Sequence, residues 1–255
     1  MQRYFLPSTA WKGNKVIINN DDFHHMVKVM RFKVGDKIIC NKEDGKAALC
    51  EINAIYEDFI EGNILEWLEE NVELPIHVAI VQGIPKGDKF ELVLQKGTEL
   101  GASSFIPYQS ERSISVWDDK KVAKKMKRYN KIVKEASEQC HRNKIPTVHA
   151  PINKSQLLKL IEEYDMCIFA YEEEAKTSSY QSFSRLLALL QPGQRLLIVI
   201  GPEGGISEKE AVLFKEAGFN PVRLGPRILR TETASLYALA SISYHFEESE
   251  FSDSF

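Results

Sequence analysis

The rhythm of apolar segments changes once along the chain, near residue 75, and this change constrains the fold more than any other feature. After that point, short apolar runs typical of buried strands alternate with longer runs whose apolar residues recur at helical spacing. This alternation predicts a parallel sheet covered by helices, because parallel strands need a crossover connection that is usually a helix. The predicted strands are 76–81, 104–107, 166–171, 195–200 and 222–224, and the predicted helices are 89–100, 119–139, 208–217 and 233–246.

Before that point the chain has the pattern of a small β-barrel or sandwich. Gly-Asp and Glu-Asp-Gly turns separate short apolar runs, and the predicted strands are 16–18, 37–40, 47–55 and 59–65. One helix, beginning after Asp21 or Asp22, interrupts them. Its apolar residues recur at i, i+3, i+4 and i+7 and are expected to face a core, namely Phe23, Met26, Val27 and Met30. Its opposite face is cationic and consists of His24, Lys28 and Arg31.

The boundary between these two regions is predicted from charge. Residues 57–73 hold seven acidic side chains and no basic one, and Pro75 follows. We therefore predict an N-terminal domain over residues 1–72, a C-terminal domain over 73–247 and a frayed acidic tail over 248–255. The overall class is α/β.

Composition excludes several classes of protein. Hydrophobic residues make up 44% and charged residues 27% of the 255 residues, which is typical of a globular chain with a sizeable core. We expect a cytoplasmic protein, because no apolar run approaches the length of a membrane span and the N-terminus lacks a signal-peptide core. The four cysteines form no C-x-x-C pair, and His24 and His25 are adjacent, so we expect reduced thiols and no metal.

Two loops follow predicted strands and are candidate ligand loops. The first, Gly-Pro-Glu-Gly-Gly at 201–205, joins a buried strand to a helix that begins with the capping box Ser207 and Glu210. Glycines allow the backbone to approach a ligand, although a plain tight turn is the alternative. The loop fits neither G-x-G-x-x-G nor the Walker pattern, which disfavours dinucleotides. The second loop, 225–234, carries Arg227, Arg230 and Glu232, for which a structural ion pair is the alternative.

A third feature is positive charge. The predicted helix 119–139 carries eight Lys or Arg residues between positions 120 and 134, more than its own acidic residues can neutralise. A solvated face is one explanation, and contact with a polyanion is the one we favour. The same helix presents an apolar stripe, which consists of Val122, Met126, Tyr129, Val133, Ala136 and Cys140. Glu135, Gln139 and Arg142 make a separate polar stripe.

These motifs resemble the RsmE family of the SPOUT-class RNA methyltransferases. The resemblance rests on His-x5-Arg-x3-Gly-Asp at 25–36, Gln-Lys-Gly-Thr-Glu-Leu-Gly at 95–101, and segments 111–113, 135–142, 200–205 and 224–234. It implies a PUA-like RNA-binding barrel followed by an α/β domain threaded into a trefoil knot. It further implies S-adenosylmethionine as cofactor, N3 of a uridine in bacterial 16S ribosomal RNA as target, the small ribosomal subunit or its RNA as partner, and a homodimer.

The resemblance also implies site residues. The expected cofactor contacts are Leu197, Ile200, Gly201, Pro202, Glu203, Gly204, Gly205, Leu224, Gly225, Ile228, Leu229, Thr233 and Ala234. Arg227 and Arg230 are expected to stabilise the uracil oxygens, and Glu232 to act as base or to orient an arginine. The expected RNA contacts are Arg3, His25, Lys28, Arg31, Lys86, Lys89, Arg112 and Arg142, together with the lysine-rich helix.

Two other functions remain open on the sequence. The same fold and cofactor could serve another RNA target, either a ribose 2′-hydroxyl or a tRNA base. Alternatively, the chain could be a non-catalytic RNA-binding factor of ribosome assembly in which both loops are structural. Cofactor titration separates this last function from the two enzymes.

Overall fold

The computed structural model describes residues 1–113, 117, 119–171 and 182–249. Chain contacts divide it into two units. The first comprises Met1–Glu73 and Lys134–Ile145, and the second comprises Leu74–Val133 and Pro146–Phe255. The predicted C-terminal domain therefore loses residues 134–145 to the first unit. Of the predicted tail 248–255, residues 250–255 lie outside the described residues.

The first unit contains a mostly antiparallel sheet with strand order β1-β4-β5-β6-β3-β2, in which only the β1–β4 pair is parallel. Two register shifts interrupt the pairing of the long strands β5 and β6, and such irregularities bend and twist a sheet. One face is buried and carries residues such as Val16, Ile38 and Ile52. The strands are β1 (Arg3–Phe5), β2 (Trp11–Lys12), β3 (Lys15–Asn19), β4 (Lys37–Asn41), β5 (Ala47–Ile55) and β6 (Phe59–Leu68).

The helix predicted after Asp21 forms, but its pattern is only partly correct. Helix α1 (Asn20–His24) continues directly into a π-helical segment, His25–Met30. Phe23 and Met26 are buried as expected, whereas Met30 is 42% exposed. A π-helix has a wider turn than an α-helix, so the residue seven positions after Phe23 no longer lies on the same face.

The second unit contains the predicted parallel sheet, with strand order β12-β10-β11-β7-β8-β9 and every pairing parallel. The central strands β7 and β11 are buried after their first residue and are mostly apolar, because both faces of the sheet are covered. The predicted α/β class is confirmed. The strands are β7 (His77–Gly83), β8 (Ser104–Tyr108), β9 (Thr147–Val148), β10 (Met166–Ala170), β11 (Arg195–Ile200) and β12 (Asn220–Val222).

The α-helices of this region include the four predicted ones, and these differ from their predicted spans only at the ends. The α-helices are α2 (Lys89–Glu99), α3 (Asp119–Gln139), α4 (Lys154–Lys159), α5 (Phe183–Leu187), α6 (Glu208–Glu216) and α7 (Thr231–Ser243). The last predicted strand was wrong by two residues, since β12 ends at Val222 and residues 223–230 form a longer loop. Neither α4 nor α5 was predicted. None of the helices in the described ranges combines the length and the apolar character that crossing a bilayer requires. The trefoil knot stays a prediction.

Candidate active site

The candidate site is a cavity of about 660 Å³ in the second unit, next to the carboxyl ends of β10, β11 and β12. Ligands of open parallel sheets bind beyond the carboxyl ends of the strands. The two loops singled out by the sequence form most of its wall. The lining residues are Lys89, Arg112, Ala170, Tyr171, Ile200, Gly201, Pro202, Glu203, Gly204, Gly205, Ile206, Val222, Arg223, Leu224, Gly225, Pro226, Arg227, Ile228, Leu229, Arg230, Thr231 and Ala234.

The first loop packs backbone against backbone. A Cβ on Gly201 would lie 2.7 Å from the carbonyl carbon of Gly205, and a Cβ on Gly83, at the end of β7, would lie 2.4 Å from the Pro202 nitrogen. Real Cβ atoms do not approach other atoms so closely, so these positions require glycine. The loop is thereby held directly above the end of the sheet.

A buried hydrogen-bond network joins this loop to the start of α7. The Thr231 hydroxyl donates to the Gly201 carbonyl at 2.6 Å and accepts from Nε2 of Gln82, also at 2.6 Å. The Ser235 hydroxyl donates to Oε1 of Gln82 at 2.5 Å. Sequence reasoning missed all three residues, although a glutamine at the end of the otherwise apolar strand β7 was a usable signal.

Charged side chains at the cavity are organised around Lys89. Its Nζ lies 2.8 Å from Oε1 of Glu203 and 3.8 Å from Oε2 of Glu232. Burial opposes ionisation of Glu203, but hydrogen bonds from Lys89 and from the Lys86 backbone N–H lower its pKa overall. The Glu232 Oε2 atom is buried and accepts no hydrogen bond from the described part of the chain. Lys89 therefore contributes positive charge to a wall that also carries the Glu203 carboxylate, and it lies close to Glu232 beside that wall.

The segment at 110–113 braces the glycine-rich loop from outside the sheet. The Arg112 Nη1 donates to the Gly204 carbonyl at 2.9 Å. The fully buried Glu210 accepts from the Tyr108 hydroxyl at 2.6 Å and from the backbone N–H groups of Glu111 and Ser207, both at 3.1 Å. Burial is the main cause of a raised pKa at Tyr108, so its hydroxyl stays a donor. Glu210 was predicted as a capping-box residue, and that geometry is confirmed, but its contact with segment 110–113 was missed.

Most of the predicted cofactor residues line this cavity, and two do not. Leu197 lies in the middle of β11 within the buried core, three residues before the strand ends. Thr233 is exposed on the first turn of α7 and is not part of the lining, whereas Thr231 is. Of the predicted catalytic residues, Arg227 and Arg230 line the cavity and have exposed side chains. Glu232 is not part of the lining, but its carboxylate lies 3.8 Å from the ammonium of Lys89, which is.

Two predicted RNA contacts are corrected by the structure. Arg3 is 2% exposed and donates to Oε2 of Glu70 at 3.1 Å, so it does not present its charge at the surface. Arg142 is also buried and forms an ion pair with Glu73, whose carboxylate additionally accepts from the Asn143 N–H at 2.9 Å. Both guanidinium groups are engaged within the first unit. The predicted polar stripe is interrupted as well, because α3 ends at Gln139.

The remaining predicted RNA contacts fall in two places. Lys28 and Arg31 are exposed in the first unit, where His25 is half-buried and its Nδ1 lies 3.1 Å from the Tyr4 hydroxyl. Lys86, Lys89 and Arg112 belong to the second unit, at or beside the cavity. On the lysine-rich helix, tertiary contacts neutralise Arg128 through Glu91 and Lys134 through Asp22.

Comparison with known proteins agrees with this geometry. Residues 72–243 match the family model of the RNA methyltransferase domain, and residues 18–65 match that of the RNA methyltransferase PUA domain. The chain is 47% identical to ribosomal RNA small subunit methyltransferase E of Bacillus subtilis, covering 97% of this chain and 98% of the relative.

Solved structures give the same result. A ribosomal RNA small subunit methyltransferase E from Neisseria gonorrhoeae bound to S-adenosyl methionine superposes with a TM-score of 0.83 at 30% identity, covering 96% of this chain and 98% of that one. A methyltransferase from Legionella pneumophila in complex with SAM gives 0.82 at 29% identity, with 95% and 97% covered. The chain therefore belongs to the ribosomal RNA small subunit methyltransferase E (RsmE) family of RNA methyltransferases.

Proposed function

We propose that this chain transfers a methyl group from S-adenosylmethionine to N3 of a uridine in bacterial 16S ribosomal RNA. The observation that carries the proposal is the cavity formed by the two glycine-containing loops at the carboxyl ends of β11 and β12. The proposal is supported by the similarity to small-subunit rRNA methyltransferases and to a relative bound to S-adenosyl methionine.

The cavity suits a cofactor of this size and chemistry. Its volume of about 660 Å³ lies within the range of roughly 300–1,000 Å³ that is usual for small-molecule sites. Ile200, Leu224 and Leu229 offer apolar surface for a planar ring, and the glycine-rich backbone at 201–205 leaves room for close approach. These residues would hold S-adenosylmethionine, which supplies an electrophilic methyl group on a sulfonium.

The chain's own residues must handle a proton and a developing charge. Uridine N3 carries a proton that is lost only above neutral pH, so methylation needs a base and stabilisation of the uracil oxygens. We assign stabilisation of the uracil oxygens to Arg227 and Arg230, whose side chains are exposed on the cavity wall. Glu232 is assigned the role of the base, because its buried Oε2 accepts no hydrogen bond from the described residues and the Lys89 ammonium lies 3.8 Å away.

RNA contacts are proposed on both units. In the first unit the proposed contacts to RNA are His25, Lys28 and Arg31, and in the second they are Lys86 and Lys89. The exposed lysines Lys124 and Lys127 of α3 contribute further positive charge. Arg112 is assigned to the glycine-rich loop rather than to RNA because it donates to Gly204. The target base must be unpaired or flipped to reach a cavity of this kind.

We further propose that the enzyme is a cytoplasmic homodimer that acts on 16S rRNA or on the small ribosomal subunit. The support for a second copy is apolar surface next to the site. Ile228, on the cavity wall, is 79% exposed, and Tyr237, whose hydroxyl would lie 3.5 Å from a Cβ on Gly225, is also exposed. A second copy would remove this apolar surface from water.

The test is mass spectrometry of 16S rRNA nucleosides from cells with and without the gene. We expect 3-methyluridine to disappear in the deletion, to return with the unaltered gene, and to stay absent with Arg230→Ala. Persistence of 3-methyluridine with loss of a different methylated nucleoside would overturn the assigned target. No change in any nucleoside would overturn the enzymatic function and favour a binding factor.

A further inference from the structure

Two tryptophans of the first unit form a stacked pair at its surface. Trp11 of β2 and Trp67 of β6 have ring centroids 5.4 Å apart and an angle of 21° between their planes. The Lys42 ammonium lies 5.6 Å from the Trp11 centroid and 5.9 Å from the Trp67 centroid. Trp67 nevertheless remains 49% exposed. The function proposed above uses none of these three residues.

The geometry leaves part of the Trp67 indole accessible. The two ring centroids and the ammonium are almost equally far from one another, so Lys42 sits beside the stack rather than over its outer face. Trp67 stacks on Trp11 and is still 49% exposed, so part of its surface remains accessible to a base.

The pair is also held in place from below. Trp67 is the register partner of Ala48, which is fully buried, and Trp11 packs against the hydrophobic core of the unit. A base that stacks on this surface would meet a ring that is already fixed, so little side-chain entropy is lost on binding.

We propose that Trp67 and Lys42 form a stacking site for an unpaired nucleobase of the RNA substrate, an inference that rests on the proposed function. Single-stranded RNA is recognised by splayed bases that stack on aromatic side chains, with nearby cations contacting the backbone. The indole face receives the base, and the Lys42 ammonium contacts the adjacent phosphate. This site belongs to the first unit, and the methyl-transfer cavity belongs to the second.

The same unit offers a matched control. Tyr56 stacks on Phe59 with centroids 4.4 Å apart and planes at 22°, and it is also 49% exposed. Both sites have exposed acids close by in the chain, Glu57 and Asp58 near Tyr56 and Glu66 and Glu69 near Trp67. Within the described residues, however, no cation lies over the Tyr56 or Phe59 ring. Exposure and stacking are therefore matched, while no described cation lies over these two rings as Lys42 lies close to both indoles.

The first experiment measures fluorescence anisotropy of two labelled strands of ~12 nucleotides, a length typical of single-strand sites. One strand is oligouridylate and the other is abasic with the same backbone. We expect Trp67→Ala to raise the Kd for oligouridylate by about 5- to 100-fold and to leave the Kd for the abasic strand unchanged. Tyr56→Ala should change neither. Trp67→Leu, which keeps an apolar cover over Ala48, should behave like Trp67→Ala and guards against misfolding.

The proposal is overturned if Trp67→Ala and Trp67→Leu bind oligouridylate as the unaltered chain does. It is equally overturned if the substitutions raise the Kd for both strands by the same factor, because losing a contact to a base cannot affect the binding of a strand without bases. Methyl transfer to 16S rRNA by the unaltered chain is measured in parallel. Its absence would overturn the proposed function and leave the comparison of the two strands valid.

A second readout uses the low tryptophan content. The chain has three tryptophans, so Trp117→Phe leaves Trp11 and Trp67 as the remaining indoles. We expect oligouridylate to quench the emission of this variant and the abasic strand to leave it unchanged. Equal emission with and without oligouridylate, at concentrations where anisotropy shows binding, would place the base elsewhere and contradict the proposal.

Discussion

At the scale of single residues, Glu138 is a carboxylate whose pKa departs clearly from its ordinary value. Its side chain is 13% exposed, and burial raises its pKa to about 7, although Lys134 acts in the opposite direction. Its Oε1 lies 3.5 Å from the Lys134 ammonium, which also pairs with Asp22 at 2.5 Å. Tyr4 lies close enough for Glu138 and Asp22 to help burial raise its own pKa. One lysine thus serves two carboxylates.

This arrangement predicts a pH-dependent stability. An unfolded glutamate titrates near ~4.3, so between about pH 4.5 and about pH 7 the folded state binds more protons at Glu138 than the unfolded state does. The free energy of unfolding therefore falls as pH rises through this window, by up to roughly 3–4 kcal/mol. Urea unfolding should show that Glu138→Gln removes this fall. A difference between the two proteins that is constant with pH would contradict the assignment.

At the scale of elements, the important junction is the start of α6. Its capping box has a second role, since Glu210 also holds segment 110–113, from which Arg112 reaches Gly204. The amino end of α6 thereby holds the glycine-rich loop from one side, through segment 110–113. The start of α7 does the same from the other side through Thr231.

Replacing Glu210 by Gln should loosen this junction. The carboxylate accepts from three donors, so an amide in its place sets an N–H group against at least one of them. We expect the free energy of unfolding to fall by about 1–3 kcal/mol and the Kd of S-adenosylmethionine to rise about tenfold. Urea unfolding and calorimetric titration measure the two effects.

The control for Glu210→Gln is Ser103→Ala, which removes the acceptor of the Val78 N–H at the opposite, amino end of β7. It should lower stability and leave the Kd of the cofactor unchanged. If Glu210→Gln lowered stability and also left the Kd unchanged, Glu210 would be a stabilising residue without any role in positioning the loop.

At the scale of the whole molecule, the proposed RNA contacts Lys28 and Arg31 lie in the first unit and the cofactor cavity lies in the second. Reversing the charge of either residue should therefore raise the Kd for 16S rRNA severalfold without changing the Kd for S-adenosylmethionine. Each lost phosphate contact should also reduce the salt dependence of log Kd by about 0.7 for single-stranded RNA. Titrations at several salt concentrations measure both quantities.

Lys159→Glu is the matched control for Lys28→Glu, because it changes the net charge equally at an exposed lysine of α4 in the second unit. It should leave the RNA affinity and its salt dependence as they were. An equal loss of affinity in both variants would mean that total charge, rather than a contact at Lys28, decides the binding.

The sequence by itself determined the fold class, the longer strands and helices of both regions, and the two loops that line the cavity, because apolar periodicity, glycine and capping residues act over a few neighbouring positions. The short elements β1, β2, β9, α4 and α5 were missed. The tertiary structure alone decided which charged side chains are available at the surface and which are buried in ion pairs and hydrogen bonds. Arg3 and Arg142 look like surface cations until Glu70 and Glu73 are seen beside them, and Gln82 and Glu210 look unremarkable until their partners on other elements appear. The physical reason is that a buried polar group must find its partner wherever the fold brings one, and the partners on other elements here lie between 67 and 153 residues away in sequence.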